Sequence, residues 1–215
     1  MEKTEGQLEI VLRYFADFTA EQQRQLSMLG ALYHDWNAKI NVISRKDIDR
    51  LYEKHVLHSL AIAACFPFPA GLRIIDIGTG GGFPGVPLAI FFPDVQFHLV
   101  DSVGKKLKVV EAVSEAIGLK NISTWHGRAE DIKDQKYDFA VSRAVAPLKD
   151  LWRWSKPLLK KERPMEQFKS GLICLKGGDL AQEIAESGLR PHVQEISTLF
   201  PEPFFADKYL LYVPA

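Results

Sequence analysis

The stretch Leu72-Arg-Ile-Ile-Asp-Ile-Gly-Thr-Gly-Gly-Gly-Phe-Pro84 decides the fold. It begins as a short run of apolar residues and ends in a cluster of glycines, which is the pattern of a buried parallel strand that turns into a helix. Glycines allow a tight turn and a close approach of the backbone to a ligand, and Pro84 suits the start of the following helix. The stretch therefore predicts an α/β fold with a ligand site at the end of this strand.

Segments of strand and helix character alternate after this stretch. Four more apolar runs of strand length lie at residues 96–101, 122–126, 139–143 and 171–176. Helical segments such as 105–117 and 148–159 separate them, and this alternation implies right-handed crossovers and a doubly wound sheet. Two last β-like runs, 193–200 and 209–213, are joined by too short a connection for a helical crossover, so the final strand is predicted to be antiparallel. The prediction is a mostly parallel, seven-stranded, Rossmann-like sheet.

The first 70 residues have a helical pattern instead. Apolar residues between Leu8 and Trp36 recur at spacings of three and four, and Thr19 with Gln22 predicts a capping box. A further helix is predicted over 47–65. We therefore expect an N-terminal helical extension, residues 1–70, followed by an α/β domain, residues 71–215.

Composition limits the classes of protein that need to be considered. The chain has 215 residues, of which 47% are hydrophobic and 25% are charged, so it is expected to fold as one globular domain with an appendage. Lys and Arg number 27, as do Asp and Glu, and the formal net charge is zero. A net charge of zero argues against a protein that binds nucleic acid over its whole surface, but it is compatible with a local basic patch.

Metal, disulfide and membrane signals are weak. Cys65 and Cys174 stand 109 positions apart and match no metal or disulfide spacing, and the pair His55 and His58 has no third ligand at a compatible sequence spacing. The start of the chain does not resemble a secretory signal, and the longest apolar stretch, 83–93, is shorter than the roughly 20 residues that cross a bilayer. We expect a cytoplasmic protein with reduced thiols, no metal and no membrane association.

The ends of the predicted strands carry the functional signals, because ligands of doubly wound sheets bind there. At the first end, Gly78, Gly80 and Gly82 occupy alternate positions, and Phe83 stands where a dinucleotide-binding fingerprint has its third glycine. At the second end, Asp101 is placed to accept hydrogen bonds from both hydroxyls of a ribose, unless it only caps the next helix.

The third end has acidic residues where an adenine ring would lie, in the turn Ala129-Glu130-Asp131. Their alternative role is to favour a helix start through the macrodipole. Taken together, the three ends resemble those of class I S-adenosylmethionine-dependent methyltransferases over residues 70–215. In that setting Asp76 would place negative charge near the sulfonium of the cofactor.

The fourth strand end, residues 139–147, limits the methyl acceptor. It lacks the Asp/Asn-Pro-Pro-aromatic sequence usual for exocyclic amines, and neither Cys65 nor Cys174 is placed to attack a pyrimidine carbon. A ring nitrogen with an in-plane lone pair needs alignment with the methyl group but no general base, and guanine N7 is such an atom.

The chain also resembles one family more closely, over about residues 30–180. This is the bacterial ribosomal small-subunit methyltransferase G family, also called glucose-inhibited division protein B. The matching motifs are Trp36-Asn-Ala-Lys-Ile-Asn-Val-Ile-Ser44, Lys54-His-Val-Leu-His-Ser-Leu60, residues 76–87, Arg128-Ala-Glu-Asp131, Ser142-Arg-Ala144 and Leu175-Lys-Gly177. The resemblance implies that a guanine of small-subunit ribosomal RNA is methylated at N7. Two departures are His58, where the family motif has Asp, and a longer basic loop at 156–169.

The predicted cofactor contacts come from two sources. The family resemblance implies Gly78, Phe83, Ala129, Glu130 and Arg143, and the strand-end pattern adds Asp76, Gly80, Gly82 and Asp101. No catalytic residue is assigned. Arg143 is the candidate positioning residue, because an arginine between Val141 and Val145 must hold its charge over the cleft or find a partner.

The predicted substrate contacts are Asn41, Arg45, His55, Lys105, Lys106, Lys160 and Lys176. Seven basic residues against three acidic ones between 149 and 169 indicate a local RNA-binding surface. The expected partner is small-subunit ribosomal RNA or a ribosomal particle, with no obligate protein partner. The alternatives are a methyltransferase with another acceptor (a different RNA, a protein or a small molecule), or an adenosyl-binding module without catalysis.

Overall fold

Seven strands form one sheet in the computed structural model, which describes residues 2–143 and 145–215, with side chains from residue 7 onward. Ala144 of the Ser142-Arg-Ala144 motif lies outside the described residues. In chain order, the strands are β1 (Arg73–Ile77), β2 (Gln96–Asp101), β3 (Ile122–His126), β4 (Phe139–Arg143), β5 (Gly171–Gly177), β6 (His192–Glu195) and β7 (Lys208–Pro214). Their order in the sheet is β3-β2-β1-β4-β5-β7-β6. Strands β1 to β5 are parallel, and β7 is antiparallel to both β5 and β6, which confirms the predicted doubly wound architecture.

Seven α-helices accompany the sheet in the described residues. They are α1 (Glu2–Leu12), α2 (Ala20–Asn37), α3 (His58–Cys65), α4 (Gly85–Phe91), α5 (Gly104–Ile117), α6 (Leu148–Ser155) and α7 (Ala181–Ser187). The predicted capping box is confirmed at α2, where the backbone N–H of Gln22 donates to Thr19 Oγ1 and that of Thr19 donates to Gln22 Oε1. No helix of the described residues combines the length and the apolar composition needed to span a bilayer.

The two faces of the sheet carry separate hydrophobic cores. The larger core joins α1 to α5 with one face of the sheet, through residues such as Ile74 and Val141. The smaller core covers the other face with α6 and the loop after β3, around Ile75, Ala140 and Cys174. Because the N-terminal helices contribute to the larger core, the boundary that we predict at residue 70 is a proposal about chain organisation and does not separate two cores.

Three predicted elements differ from the structure. The run 193–200 is a strand only over His192–Glu195, because Ile196 and Phe200 are both buried and their spacing of four is that of a helical turn. The helix predicted to reach residue 159 ends at Ser155, since Pro157 has no backbone N–H to continue it. Residues 47–65 are a succession of turns: a 3₁₀ turn at Ile48–Arg50, a π-helical turn at Tyr52–Leu57 and then α3.

We expect Asn121→Ala to weaken the support of α4, the helix that follows the glycine loop (residues 78–84). The buried Asn121 Nδ2 lies 3.0 Å from each of three carbonyl oxygens, those of Ala89, Phe92 and Val95. Losing this donor removes a buried hydrogen-bond partner from these carbonyls, although Phe92 O still accepts from Val95 N. The free energy of unfolding should therefore fall by about 2 kcal/mol in urea denaturation. The exposed Asn41→Ala is the control, with a change below about 0.5 kcal/mol. Equal effects of the two substitutions would contradict this account.

Candidate functional site

A cavity of about 630 Å³ lies at the carboxyl ends of the central strands, on the edge where this fold binds its ligands. Its walls come from the ends of β1, β2 and β3, the loop after β4, and α6. The lining residues are Ile77, Gly78, Val100, Asp101, Ser102, Val103, Lys106, Gly127, Arg128, Ala129, Glu130, Val145 and Trp154.

The glycine loop forms one wall through backbone conformations that other residues rarely adopt. Gly78, Gly80 and Gly82 have φ angles of +70°, +59° and +100°. A Cβ on Gly78 would stand 2.8 Å from Cγ1 of Val145, across the rim of the cavity. The loop therefore has space for a ligand only while position 78 carries no side chain.

Asp101 at the end of β2 lines the cavity and also holds two backbone groups. Its Oδ2 accepts a hydrogen bond from Gly80 N at 2.8 Å, and its Oδ1 accepts one from Val103 N, also at 2.8 Å. Each carboxylate oxygen has a second lone pair. The two sequence interpretations, a ribose acceptor and a support for the next helix, are therefore compatible in one side chain.

Asp76 was predicted to contact the cofactor, but it is fully buried and is not part of the cavity wall. Its Oδ2 accepts hydrogen bonds from Thr79 Oγ1 at 2.6 Å and from Gly85 N at 2.9 Å, so it joins the two ends of the glycine loop. Its Oδ1 has no partner in the described residues. Burial raises the pKa of this carboxyl to about 7.

The end of β3 contributes Ala129 and Glu130 to the cavity. Both lie in the 3₁₀ turn Ala129–Asp131, with Ala129 buried and Glu130 exposed. The structure therefore brings four predicted cofactor residues to one cavity, namely Gly78, Asp101, Ala129 and Glu130. Gly80 supports this wall through its hydrogen bond to Asp101.

Arg143 and Phe83 lie outside the cavity lining and form a second group with the N-terminal helices. Arg143 Nη1 donates to Lys54 O at 3.0 Å, Nη2 contacts His55 Nδ1 at 2.7 Å, and the guanidinium carbon lies 5.2 Å from the centre of the Phe83 ring. We call Arg143, Lys54, His55, Phe83 and Tyr33 the arginine cluster. Burial lowers the pKa of Arg143 to about 10, so this side chain stays charged near neutral pH.

The arginine cluster also clamps the glycine loop. The Phe83 ring centre lies 4.9 Å from that of Tyr33 and 5.1 Å from that of His55. Tyr33 donates its hydroxyl to Gly81 O at 2.7 Å. Burial and the charge of Arg143 lower the pKa of His55 to about 3, so its imidazole is neutral at physiological pH.

The remaining substrate candidates are distributed over two edges of the sheet. Asn41 and Arg45 are exposed in the loop after α2, beside Val42, which lies over Gly81. Lys106 lines the cavity, and Lys105 is exposed in the same first turn of α5. Lys106 therefore lies at the cavity with Lys105 beside it in sequence, and Asn41 and Arg45 belong to the loop that passes over Gly81.

Lys176 and Lys160 have structural partners instead. Lys176 is buried, pairs with Glu183 at 2.6 Å and donates to Ala146 O, so it holds the loop after β4. Lys160 pairs with Asp138 at 2.9 Å. Asp138 precedes the five-residue β4, so this pair lies at the amino edge of the sheet, about 16 Å from the carboxyl end of the strand. The structure does not bring Lys160 or the basic loop together with the other candidates.

Sequence reasoning assigned no site role to Tyr33, Val42, Lys54 or Val145. Tyr33 belongs to the apolar stripe of α2, and Lys54 contributes its backbone carbonyl to Arg143, 89 positions away. No local sequence pattern indicates that Tyr33 contacts the glycine loop or that the carbonyl of Lys54 accepts a bond from Arg143. Both cysteines are free, and no cluster of three or more metal-ligating side chains occurs in the part of the chain that is described.

His58, the departure from the family motif, is buried beside the arginine cluster. Its ring packs edge-on against Phe204 and Phe205, with centre distances of 5.7 and 5.9 Å. Its Nε2 has no hydrogen-bond partner in the described residues. Burial and the neighbouring charge of Arg143 hold the pKa of His58 well below its usual value near 6.5.

Comparison with known proteins identifies what the chain is similar to. A model of the family described as rRNA small subunit methyltransferase G matches residues 22–204. The Ribosomal RNA small subunit methyltransferase G of Cytophaga hutchinsonii is 51% identical over 211 residues, which cover 97% of this chain and 100% of that protein. The protein of the same name from Bacteroides thetaiotaomicron is 53% identical over 207 residues, 95% of this chain and 98% of the relative.

A solved structure supports the fold. The crystal structure of a SAM-dependent methyltransferase from Aquifex aeolicus matches with a TM-score of 0.57 at 15% identity and covers 80% of this chain and 98% of that chain. At this identity the match concerns the fold alone.

We expect Gly78→Ala to weaken binding of S-adenosylmethionine about tenfold in isothermal titration, because the new methyl group pushes Val145 at the rim of the cavity. Gly118→Ala is the matched control. Gly118 has a similar φ of +79° at the end of α5, where only Arg24 lies within 4 Å of the added carbon. The control should lose a similar amount of stability and bind the cofactor normally. Normal binding by Gly78→Ala would remove position 78 from the cofactor site.

We expect His58→Leu to raise the free energy of unfolding by about 1 kcal/mol at pH 7.5, since it removes an unpaired buried nitrogen. The folded-state pKa of His58 is depressed, so only the unfolded chain binds a proton there as pH falls below about 6.5. Wild-type stability therefore decreases in this range by an amount that the leucine variant avoids, and the difference between the two should widen toward pH 5.

Urea denaturation at a series of pH values measures this difference. Ser59→Ala, at the adjacent buried position without a titrating group, should differ from wild type by the same amount at each pH. A difference between His58→Leu and wild type that does not change with pH would show that His58 takes up its proton in the folded state as readily as in the unfolded chain.

Proposed function

The chain belongs to the rRNA small subunit methyltransferase G family, and we propose that it transfers the methyl group of S-adenosylmethionine to N7 of a guanine in small-subunit ribosomal RNA. Membership rests on the family model and on relatives about half identical over nearly the whole chain. The reacting atom and the residues that serve it are the proposed part.

The observation that carries the cofactor assignment is the cavity at the strand ends. Asp101 lies in its wall with free lone pairs for ribose hydroxyls, and Ala129 and Glu130 line the side predicted for adenine. The open backbone of Gly78 faces the same space. These residues fit an adenosyl ligand with an amino-acid tail, and bound S-adenosylmethionine would supply a methyl group activated by its sulfonium.

The surroundings suit an acceptor atom that carries no proton. Guanine N7 attacks through an in-plane lone pair, so the protein must align it with the methyl group and need not remove a proton. His55 is neutral, with a pKa of about 3, and Arg143 is charged, so neither group of the arginine cluster is suited to act as a base near neutral pH. Positioning is therefore the contribution we assign to this protein.

The cavity edge is the surface that we propose for RNA. Lys106 lines the cavity, and Lys105 is exposed in the same turn of α5. Asn41 and Arg45 are exposed in the loop over Gly81. Lysine contacts to phosphates would make binding weaken as salt rises. Lys160 would reach only an RNA that extends to the amino edge of the sheet. We further propose that the protein works in the cytoplasm on RNA or a ribosomal particle, without an obligate protein partner.

The experiment is methyl transfer from radiolabelled S-adenosylmethionine to small-subunit RNA, free or in particles, that lacks this modification. We expect N7-methylguanosine after nucleoside analysis. The control variant Gly78→Asp, which places bulk and charge in the loop, should transfer no label. Another methylated nucleoside would overturn the assigned atom, whereas no labelled RNA despite cofactor binding would favour a different acceptor or a module without catalysis. A wild-type protein that binds no cofactor would overturn the cofactor assignment.

A further inference from the structure

The arginine cluster fixes where the proton of one imidazole lies. A guanidinium can only donate hydrogen bonds, so His55 Nδ1, 2.7 Å from Arg143 Nη2, must accept. A neutral imidazole that accepts at Nδ1 carries its proton at Nε2. The low pKa of His55, about 3, keeps the ring neutral over the working pH range, so Nε2–H is a permanent donor.

This donor is available to a ligand. Nε2 of His55 has no hydrogen-bond partner among residues 7–143 and 145–215, and the residue is only partly buried. It differs in this respect from Nε2 of His58, which is enclosed as well as unpaired. The ring is also held in orientation, by Arg143 on one nitrogen and by the Phe83 ring 5.1 Å away.

The donor lies between residues from two of the segments that lead into the cavity wall. Phe83 lies in the glycine loop, and Arg143 ends β4, two residues before Val145 in the cavity wall. Lys54, whose carbonyl accepts the other bond of Arg143, belongs with His55 to the π-helical turn Tyr52–Leu57. Such turns within helices are frequent at functional sites.

We propose that His55 recognises the target guanine by donating Nε2–H to its O6, and that Arg143 is the positioning residue that fixes the donor. This inference rests on the proposed function. Guanine presents two acceptors, N7 and O6, on one edge. A donor bound to N7 would occupy the lone pair that must attack the methyl group, so O6 is the atom that a fixed donor can engage during transfer.

The same geometry explains discrimination against adenine. Adenine carries an amino group where guanine has O6, so its N–H would face the N–H of His55 and leave a donor unpaired. Sites built around a specific hydrogen bond reject analogues that cannot make it more strongly than apolar pockets reject a change of size. His55 would therefore act on selection of the base as well as on the rate of transfer.

The test removes each partner of the hydrogen bond in turn. Small-subunit RNA is assembled by ligation with either guanine or 2-aminopurine, which keeps N7 and lacks O6, at the position that the wild-type protein methylates. Wild-type kcat/KM should fall about 10- to 100-fold on the 2-aminopurine RNA. His55→Leu should lose a similar factor on guanine RNA and show little further loss on 2-aminopurine RNA. The exposed His192→Leu, on strand β6, is the control and should keep the wild-type ratio.

The outcomes separate this inference from the proposed function. If His55→Leu lowers kcat/KM on both RNAs by the same factor, the residue has only a structural role and the inference is overturned. A wild-type ratio near one would also overturn it. If the wild-type protein methylates no guanine at all, the proposed function fails before His55 is tested.

A second measurement needs no catalysis. Nitrogen-15 NMR of His55 in the folded protein should show a protonated Nε2 and an unprotonated Nδ1. Arg143→Lys, which keeps a donor, should preserve this tautomer, whereas Arg143→Leu should release it and reduce discrimination between the two RNAs. A proton on Nδ1 in the wild-type protein would overturn the inference.

Discussion

The charge of Arg143 is the constraint on which the arrangement of the site depends. A guanidinium removed from water must be given partners, or the fold loses the stability that burial provides. Here the partners are the carbonyl of Lys54, Nδ1 of His55 and the ring of Phe83. Two belong to the N-terminal helices and one to the glycine loop. One partly buried charge therefore holds the helical segment, the turn after the first strand and the end of the fourth strand in a single geometry.

The topology of the sheet determines which basic residues lie near the cavity, and the local density of charge does not. Connections from strand to helix lie at the carboxyl edge of a parallel sheet, and connections from helix to strand lie at the opposite edge. Lys106 follows β2 and lines the cavity, whereas Lys160 precedes β5 and pairs with Asp138 at the amino edge. A sequence count treats both as members of basic patches. Only their order relative to the strands shows that they face different surroundings.

The strands were predictable to within about one residue for β1 to β5. β1, β4 and β5 are the continuous buried runs that parallel strands favour, whereas the edge strand β3 is largely exposed and follows from the alternation of strand and helix. The end of β6 was not predictable. The run 193–200 has the composition of a strand, but its buried residues Ile196 and Phe200 have the spacing of a helical turn. The cavity candidates followed from strand ends alone. The pairing of Arg143 with His55 spans 88 positions and depends on how the π-helical turn Tyr52–Leu57 packs, which no local pattern records.

The raised pKa of Asp76 does not make this carboxyl a catalytic acid or base, because its position rules that role out. Its pKa of about 7 would by itself favour an acid or base near neutral pH. However, Oδ2 is held by Thr79 and Gly85, and the residue lies outside the cavity wall. In the reaction that we propose, guanine N7 has no proton to give. A buried carboxyl that joins the ends of the glycine loop is then consistent with the chemistry, because the site needs a rigid loop and a correctly placed base more than it needs a proton acceptor.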